Sequence, residues 1–271
     1  MRCPHCAAVL PEASPVCAAC GRLVETVSRI VRLEFLGTGL ETAGWIVLCV
    51  IGAVLIVPMP WVLAAMGRWF CRKVEASDGT TAEFTGTGGA ILPWWLLYII
   101  AIAIAQSILK GKVEIRLGLS FHLDFPPFHS WQDLMRSLAL TAISAAFAIQ
   151  AIRWAVRHVR LSSGLALDFT GEYHGLLGWC LLYELSLLTI VGWAWVLAGM
   201  WRWIARQAKG ENLAFEFHGE GHQILWRSIA AVVMCLPVVT IPWVWVWFQR
   251  WVVRNVTESH GIHAENWVAA G

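Results

Sequence analysis

The sequence predicts a mainly α-helical, polytopic membrane protein in which five apolar helical segments are joined by short β-hairpins and part of the chain is duplicated. Three observations predict this fold class. Of 271 residues, 58% are hydrophobic and only 14% are charged, whereas about 25% are charged in soluble domains. Five long apolar runs divide the chain, and an arginine–tryptophan motif recurs at their ends. This composition excludes a soluble enzyme, a disordered chain and a secreted disulfide scaffold.

Four cysteines near the start of the chain predict a small N-terminal zinc ribbon, which completes the fold class. They form two C-x-x-C pairs, Cys3 with Cys6 and Cys17 with Cys20. Each pair presents two thiolates from one tight turn, and two pairs complete a closed, tetrahedral and therefore structural Zn²⁺ site. The alternative is two disulfides, which need an oxidising compartment.

The N-terminus is expected on the cytoplasmic side of a membrane. The residues before the first apolar run, which begins near Leu40, are polar and do not form a signal peptide. A reduced site of four thiolates agrees with that location, because the cytoplasm keeps thiols reduced.

The apolar runs are candidates for membrane-spanning helices, which need about 20 residues. They cover residues 40–67, 89–109, 134–152, 175–201 and 223–249. Arginines flank the first, fourth and fifth runs on both sides, which conflicts with a single crossing under the positive-inside rule. These three runs also contain helix breakers at Pro58, Gly192 and Pro237. We therefore expect helical hairpins there and true spans in the other two runs; the alternative is five single, kinked passes.

An Arg-Trp-x-x-Arg motif follows four of the runs, and its eight arginines are candidate contacts for anionic lipid headgroups. Arginines at i and i+4 share one face of a helix, and a tryptophan beside them suits the interface of a bilayer. The alternative is ordinary orientation and anchoring. Turn signals such as Asp78-Gly79 and Ser163-Gly164 predict β-hairpins after the motif. The arginines are Arg68, Arg72, Arg153, Arg157, Arg202, Arg206, Arg250 and Arg254.

An internal duplication divides the chain further. Residues 33–73 align without gaps onto residues 167–207, and such repeats often imply pseudo-symmetry. The alternative is a duplication that serves packing alone. We expect a ribbon at residues 1–24 and two membrane halves, at 25–160 and 161–271.

A set of spaced motifs begins in the first copy of the duplication and continues beyond it. Phe-Leu-Gly-Thr-Gly stands at 35–39, Pro-Met-Pro-Trp at 58–61, Arg-Trp at 68–69 and Phe-Thr-Gly-Thr-Gly-Gly at 84–89. With these motifs the chain beyond the ribbon resembles the YjgN-like family of bacterial inner-membrane proteins. The resemblance implies a multi-pass protein of the inner membrane. It carries over no catalytic residue, because the family is one of unknown function.

Glu184 is the candidate polar site within the membrane. It lies about ten residues into the fourth apolar run, where a carboxylate is costly and normally faces a partner or water. The functional hypothesis is a site for a proton or a cation, with Arg227 or Arg136 as the partner of the carboxylate. The alternative is a structural ion pair, or a protonated side chain near the interface.

These features predict a protein without enzymatic activity. The sequence contains no nucleotide-binding loop, nucleophile elbow, metalloprotease helix or pair of carboxylates. Its net charge of +2 gives no reason to expect nucleic acid as a partner. We expect a scaffold or regulator in the lipid bilayer whose ribbon docks a cytoplasmic protein partner. A transporter, channel or lipid-handling protein built on the duplicated halves is the alternative, but the apolar runs offer little polar lining.

Overall fold

The computed structural model describes Cys6 and residues 29–108, 131–162, 164–210 and 213–260. These residues form four consecutive units of one design. Each unit runs from a strand through a Phe-x-Gly segment into a helix, returns in a second helix that contains the Arg-Trp-x-x-Arg motif, and ends in another strand. Every unit therefore has its strands at one end of a pair of helices, and in the first, third and fourth units the described connection between the helices, here called the tip, lies at the other end.

The bounds of the elements repeat this order. The first unit contains β1 Arg29–Phe35, α1 Gly39–Leu55, α2 Met59–Arg72 and β2 Val74–Ala76. The second contains β3 Ala82–Phe84, α3 Gly88–Ile108, α4 Trp131–Arg157 and β4 Val159–Leu161. The third contains β5 Leu167–Phe169, α5 Tyr173–Ser186, α6 Trp193–Gln207 and β6 Ala208–Gly210. The fourth contains β7 Leu213–Phe217, α7 Gly221–Met234, α8 Ile241–Arg254 and β8 Val256–His260.

Local sequence accounts for several helix boundaries. Thr38 and Glu41 form a capping box at the start of α1, which satisfies backbone N–H groups that have no partner within the helix. Pro60 and Pro242 stand in the first turns of α2 and α8, where proline removes no helical hydrogen bond. At the tip of the first unit, Ile56 has a positive φ of 60°, and its carbonyl accepts a hydrogen bond from the Trp95 indole at 3.0 Å.

The helices form a closed ring in chain order. Each helix packs against the next one, and α8 packs against α1. The buried side chains of the described residues form separate clusters between neighbouring elements. One cluster joins β1 to α2 and α8 around Phe35, and another joins α4 to α5 around Ile149 and Phe169. The core is therefore distributed around the ring.

The strands form a second ring on top of the helices. One antiparallel sheet has the order β2-β1-β8-β7-β6-β5, and β3 pairs with β4. Single bridges, Glu75 with Thr81 and Arg160 with Ala166, connect these two groups. All neighbours in this ring are neighbours in the chain except β1 and β8, whose pairing closes it.

The prediction of a five-span polytopic membrane protein is wrong. Among the described residues, two helices are long and apolar enough to cross a membrane, Gly88–Ser107 and Leu134–Arg157. They coincide with the second and third apolar runs. The other three runs are interrupted near Pro58, Gly192 and Pro237 and each contain two helices of 14 to 17 residues. A helix of 17 residues rises only about 26 Å, which is less than the ~30 Å hydrocarbon core.

The expected β-hairpins between apolar segments are present as parts of the strand ring: β6 pairs antiparallel with β7, and single bridges join β2 to the start of β3 and β4 to the start of β5. Gly79 and Gly164 adopt positive φ values of 84° and 81° in turns where the sequence predicted them. However, β2 pairs in register with β1 and β3 pairs with β4. Strands of three residues make too few hydrogen bonds for a stable isolated hairpin, so pairing between the two strands of each unit supplies the rest.

Candidate functional site

The Phe-x-Gly segments are tight turns in which the phenylalanine ring covers the glycine. A Cβ atom added to Gly37 would lie 2.4 Å from the Phe35 ring, and in the other three units this distance is 2.3 to 2.5 Å. A side chain at this position would therefore displace the ring. The four phenylalanines are at most 7% exposed, so the turn is part of the core.

The tryptophan of each Arg-Trp-x-x-Arg motif packs against the phenylalanine of its own unit. The rings meet edge to face, with interplanar angles of 77° to 90°. Such pairs contribute about 0.5–1.5 kcal/mol beyond the area they bury. The four pairs are Phe35–Trp69, Phe84–Trp154, Phe169–Trp203 and Phe217–Trp251.

The first arginine of each motif joins its unit to the next one. Its guanidinium donates a hydrogen bond to the carbonyl oxygen of the Phe-x-Gly glycine in the following unit. The four bonds are Arg68 to Gly86 at 2.9 Å, Arg153 to Gly171 at 2.8 Å, Arg202 to Gly219 at 3.3 Å and Arg250 to Gly37 at 3.1 Å. The last of these bonds closes the ring between the fourth unit and the first. Hydrogen bonds from a charged group contribute about 1.5–3 kcal/mol each.

The second arginine pairs, in three of the motifs, with the acidic residue before the next phenylalanine. The ion pairs are Arg157–Asp168 at 2.7 Å, Arg206–Glu216 at 3.3 Å and Arg254–Glu34 at 2.7 Å. The hydrogen bond from Arg157 lowers the pKa of Asp168 below its ordinary value. All three pairs are exposed, so each contributes at most about 1 kcal/mol. Their regular placement still makes them markers of the repeat.

The eight arginines predicted to contact lipid headgroups thus have intramolecular contacts. Seven bind the following unit, whereas Arg72 donates from Nε to the carbonyl oxygen of Arg68 in its own helix at 3.2 Å. Contact with headgroups stays a prediction for all eight. The sequence contained a signal for these intramolecular ion pairs: an acidic residue stands directly before each motif phenylalanine, at Glu34, Glu83, Asp168 and Glu216.

A second glycine packs against a tryptophan of the preceding unit. A Cβ atom on Gly39, Gly88 or Gly221 would lie 2.5 to 2.8 Å from atoms of Trp243, Trp61 or Trp195, respectively. At the junction between the second and third units the large and small side chains are exchanged: Tyr173 takes the position of the glycine, and Ala146 takes the position of the tryptophan. The Tyr173 hydroxyl donates to the Ala142 carbonyl on that same helix at 3.2 Å.

Glu184 lies in the last turn of α5, near the tip of the third unit, and contacts α4. Its two carboxylate oxygens accept hydrogen bonds from Ser137, at 3.3 Å, and from Thr141. Arg227, one of its two predicted partners, lies elsewhere: its guanidinium is 5.0 and 4.9 Å from the rings of Trp247 and Trp251. Two hydroxyl groups one helical turn apart therefore hold this carboxylate. Its role as a proton or cation site stays a prediction.

The strand ring surrounds a partly open apolar cavity of 140 Å³. Its lining comes from β1 to β5, from β7 and from the turn before β3, and Thr80 is the polar member of this lining. An apolar lumen offers no ligands to an ion. The lining residues are Leu33, Val74, Ala76, Thr80, Ala82, Val159, Leu161, Leu167 and Phe215.

Three described tips expose large apolar side chains. Leu236, Val238 and Val239 in the tip of the fourth unit are 73% to 78% exposed, and Ile190 in the third is 72% exposed. Leu55 and Val57 expose more than half of their surface in the first unit. The exposed apolar patches of monomeric soluble proteins rarely exceed a few hundred Å². The tips therefore indicate a surface that contacts lipid or protein.

The predicted zinc site lies largely outside the described residues. Cys6 is exposed, and Cys3, Cys17 and Cys20 fall in the part that the structure does not describe. Within residues 29–260, as far as they are described, no group of three or more His, Cys, Asp or Glu side chains could hold a metal. The structural zinc ion stays a prediction.

Comparison with known proteins gives no relative for this chain: no protein family, no curated protein and no solved structure matches it. The resemblance to the YjgN-like family therefore stays a prediction based on its motifs.

Proposed function

We propose that this chain is a non-enzymatic scaffold or regulator whose helical ring is embedded in the bacterial inner membrane and whose strand ring lies at the cytoplasmic surface. The observation that carries this proposal is the position of the exposed apolar residues. Leu236, Val238 and Ile190 lie at the tips, at the opposite end of the hairpins from the motif arginines. A molecule with one apolar end and one basic end fits a bilayer entered from its cytoplasmic side.

The lengths of the helices support a mixed insertion. α3 and α4, with 21 and 27 residues, can cross the ~30 Å core as a pair. The other three hairpins have helices of 14 to 17 residues that rise about 21–26 Å. They would enter the bilayer deeply without crossing it, so that in each of these hairpins the chain returns to the side that carries the motif arginines.

The contacts inside the rings favour a scaffold over a transporter. Seven of the eight motif arginines bind the neighbouring unit, so they are not free to bind a moving substrate. The cavity within the strand ring has an apolar lining. The alternative of a transporter, channel or lipid-handling protein depends on Glu184, a carboxylate held by two hydroxyl groups near a tip.

The zinc ribbon would place its partner against the strand ring. Arg29 and His260 are paired where β1 begins and β8 ends, so β1 begins on the side of the strand ring. We therefore propose that a cytoplasmic protein partner docks on that side, with Zn²⁺ holding the fold of the ribbon.

The first experiment tests insertion at the tips. The full chain is mixed with lipid vesicles and separated by flotation, and the V238E/V239E double variant is compared with K209E, which makes the same change in net charge at an exposed position of β6 in the strand ring. We expect the wild type and K209E to float and a smaller fraction of the tip variant to float, because its two carboxylates oppose insertion of the fourth hairpin while α3 and α4 can still insert. Equal flotation of the tip variant would contradict the proposed orientation.

The second experiment separates the scaffold from the transporter. The C17S/C20S variant should lose zinc and the capture of its partner while it still inserts into the membrane. E184Q should insert and capture the partner like the wild type. A wild-type protein that moves ions or lipids across vesicles, with loss of this activity in E184Q alone, would favour the transporter.

A further inference from the structure

The first unit differs from the other three where its second helix meets its strands. In the later units, the residue after the motif phenylalanine makes a side-chain hydrogen bond to the end of its own second helix or to the following strand. Thr85 donates to the His158 carbonyl, Thr170 to the Gln207 carbonyl and side chain, and His218 bonds the Thr257 hydroxyl. The corresponding residue in the first unit is Leu36, which is 44% exposed and apolar.

An open groove lies at this place. It has a volume of 410 Å³ and is lined by Leu36, Trp69, Arg72, Lys73 and Glu75. Lys73 and Glu75 replace His158 and Arg160 of the second unit, which occupy the same positions after the motif. The groove thus combines an apolar wall with charged groups of both signs.

The cationic groups of the groove are not equivalent. Lys73 forms an ion pair with Glu41 at 2.9 Å, and its hydrogen bond lowers the pKa of that carboxyl. Arg72 uses only Nε, toward the Arg68 carbonyl. Among the described residues, neither terminal nitrogen of its guanidinium has a partner, and Glu83, which stands where the other motifs have the paired acid, makes no ion pair.

Glu75 gives the groove its negative charge. Its neighbour across the sheet is Glu34, and Glu34 is already paired with Arg254 at 2.7 Å. No cation among the described residues pairs with Glu75 itself, and Arg72 and Glu75 do not form an ion pair with each other. A ligand that carries a phosphate and an amine a few bonds apart would satisfy both groups.

We propose that this groove binds the phosphoethanolamine headgroup of a membrane phospholipid. The Arg72 guanidinium donates a pair of parallel hydrogen bonds to the phosphate, the Glu75 carboxylate accepts hydrogen bonds from the ammonium group, and Leu36 and Trp69 contact the glycerol and the first methylenes. Lys73 adds positive charge beside the phosphate while it remains paired with Glu41.

The position of the groove agrees with this ligand, and this step of the inference rests on the proposed function. Arg72 is the last residue of α2, so it lies at the end of the hairpin that faces away from the apolar tip. With about 21 Å between the ends of a helix of this length, a tip inside the hydrocarbon core places Arg72 at the level of the headgroups.

The test measures lipid binding to the full chain in detergent by native mass spectrometry. Phosphatidylethanolamine, phosphatidylglycerol and phosphatidylcholine with identical acyl chains are titrated separately. We expect the tightest binding for phosphatidylethanolamine. R72Q should weaken it about tenfold, because it removes a charged hydrogen-bond pair. E75Q should abolish the preference for phosphatidylethanolamine over phosphatidylglycerol. R206Q is the matched control: Arg206 lies outside the groove and is paired with Glu216, so this variant should keep the preference for phosphatidylethanolamine.

Three results would overturn the inference: equal binding by R72Q and the wild type, equal loss in R206Q, or complete displacement of the lipid by soluble glycerophosphoethanolamine at the same concentration. The last result would assign the site to a free phosphodiester. Flotation of the same variants separates this inference from the proposed function. If the wild type fails to insert, the proposed function fails; if all variants insert but show no headgroup preference, only this inference fails.

Discussion

Two adjacent glycines at the start of α3 give a sharp test of the packing between units. A Cβ atom on Gly88 would lie 2.7 Å from the backbone N and Cα of Trp61, whereas a Cβ atom on Gly89 would meet nothing within 4 Å. Carbon atoms in contact prefer separations of about 3.5–4.0 Å, so G88A must push α3 away from α2 by roughly 1 Å. Because the obstacle is backbone, a rotamer change cannot remove it.

We expect G88A to destabilise the protein by about 1–3 kcal/mol, the usual cost of overpacking. G89A should be neutral or stabilising by up to about 1 kcal/mol, because alanine favours a helix more than glycine does. For a chain of this size, 1 kcal/mol corresponds to about 2–4 °C in Tm. Thermal unfolding of both variants in the same detergent, followed by tryptophan fluorescence, measures the difference. Equal Tm values for G88A and G89A would refute the α2–α3 contact.

Three further predictions concern the ring. Y173G and A146W should each destabilise the junction between the second and third units by about 1–5 kcal/mol. The double variant should recover most of the loss, because it recreates the glycine–tryptophan pair of the other junctions. A double variant that does not recover in thermal unfolding would contradict the exchange of sizes. R250Q should lower stability by about 1–3 kcal/mol and R254Q by less than about 1 kcal/mol, because the hydrogen bond of Arg250 to the Gly37 carbonyl is part-buried, whereas the ion pair of Arg254 with Glu34 is exposed; the reverse order in urea titrations would contradict this. Since the pKa of Asp168 is lowered in the folded state, its ionised form stabilises the fold above pH 3.8, and this contribution is lost as the pH falls through the lower, folded pKa. The wild type should therefore lose more stability than D168N between about pH 5 and pH 3.

The repeated motif could be recognised in the sequence, but the contacts made by its arginines could not. The spacing of Arg68 and Arg72 and its three copies locate the ends of the second helices, and the breakers at Pro58, Gly192 and Pro237 lie where the chain turns back. The partners of the arginines were not predictable, because a lipid phosphate and a backbone carbonyl are both good acceptors for a guanidinium. The acidic residue before each phenylalanine was the available signal.

The strand ring could also not be predicted from the local sequence. Strands such as Val74–Ala76 and Ala82–Phe84 have three residues each, and their pairing depends on residues that are far apart in the chain. The number of spans was overestimated for a related reason: hydropathy counts apolar residues, whereas crossing requires one uninterrupted helix. For the candidate sites too, single residues were predictable from the sequence, whereas their contacts were not. Glu184 was located by its charge, but its contact with Ser137 and Thr141 required the packing of α4 on α5.

The closure of the ring is the central claim, and the pairing of β1 with β8 tests it most directly. Arg32 and Thr257 are partners across these strands, and directly opposed residues in antiparallel strands are about 4.5–5.5 Å apart at Cα, within reach of a disulfide. With the native cysteines replaced by alanine or serine, the R32C/T257C variant should form an intramolecular disulfide rapidly under mild oxidation, whereas E83C/T257C, which joins β3 to β8, should not. Equal cross-linking of the two pairs, or cross-linking of neither, would contradict a closed ring of four units.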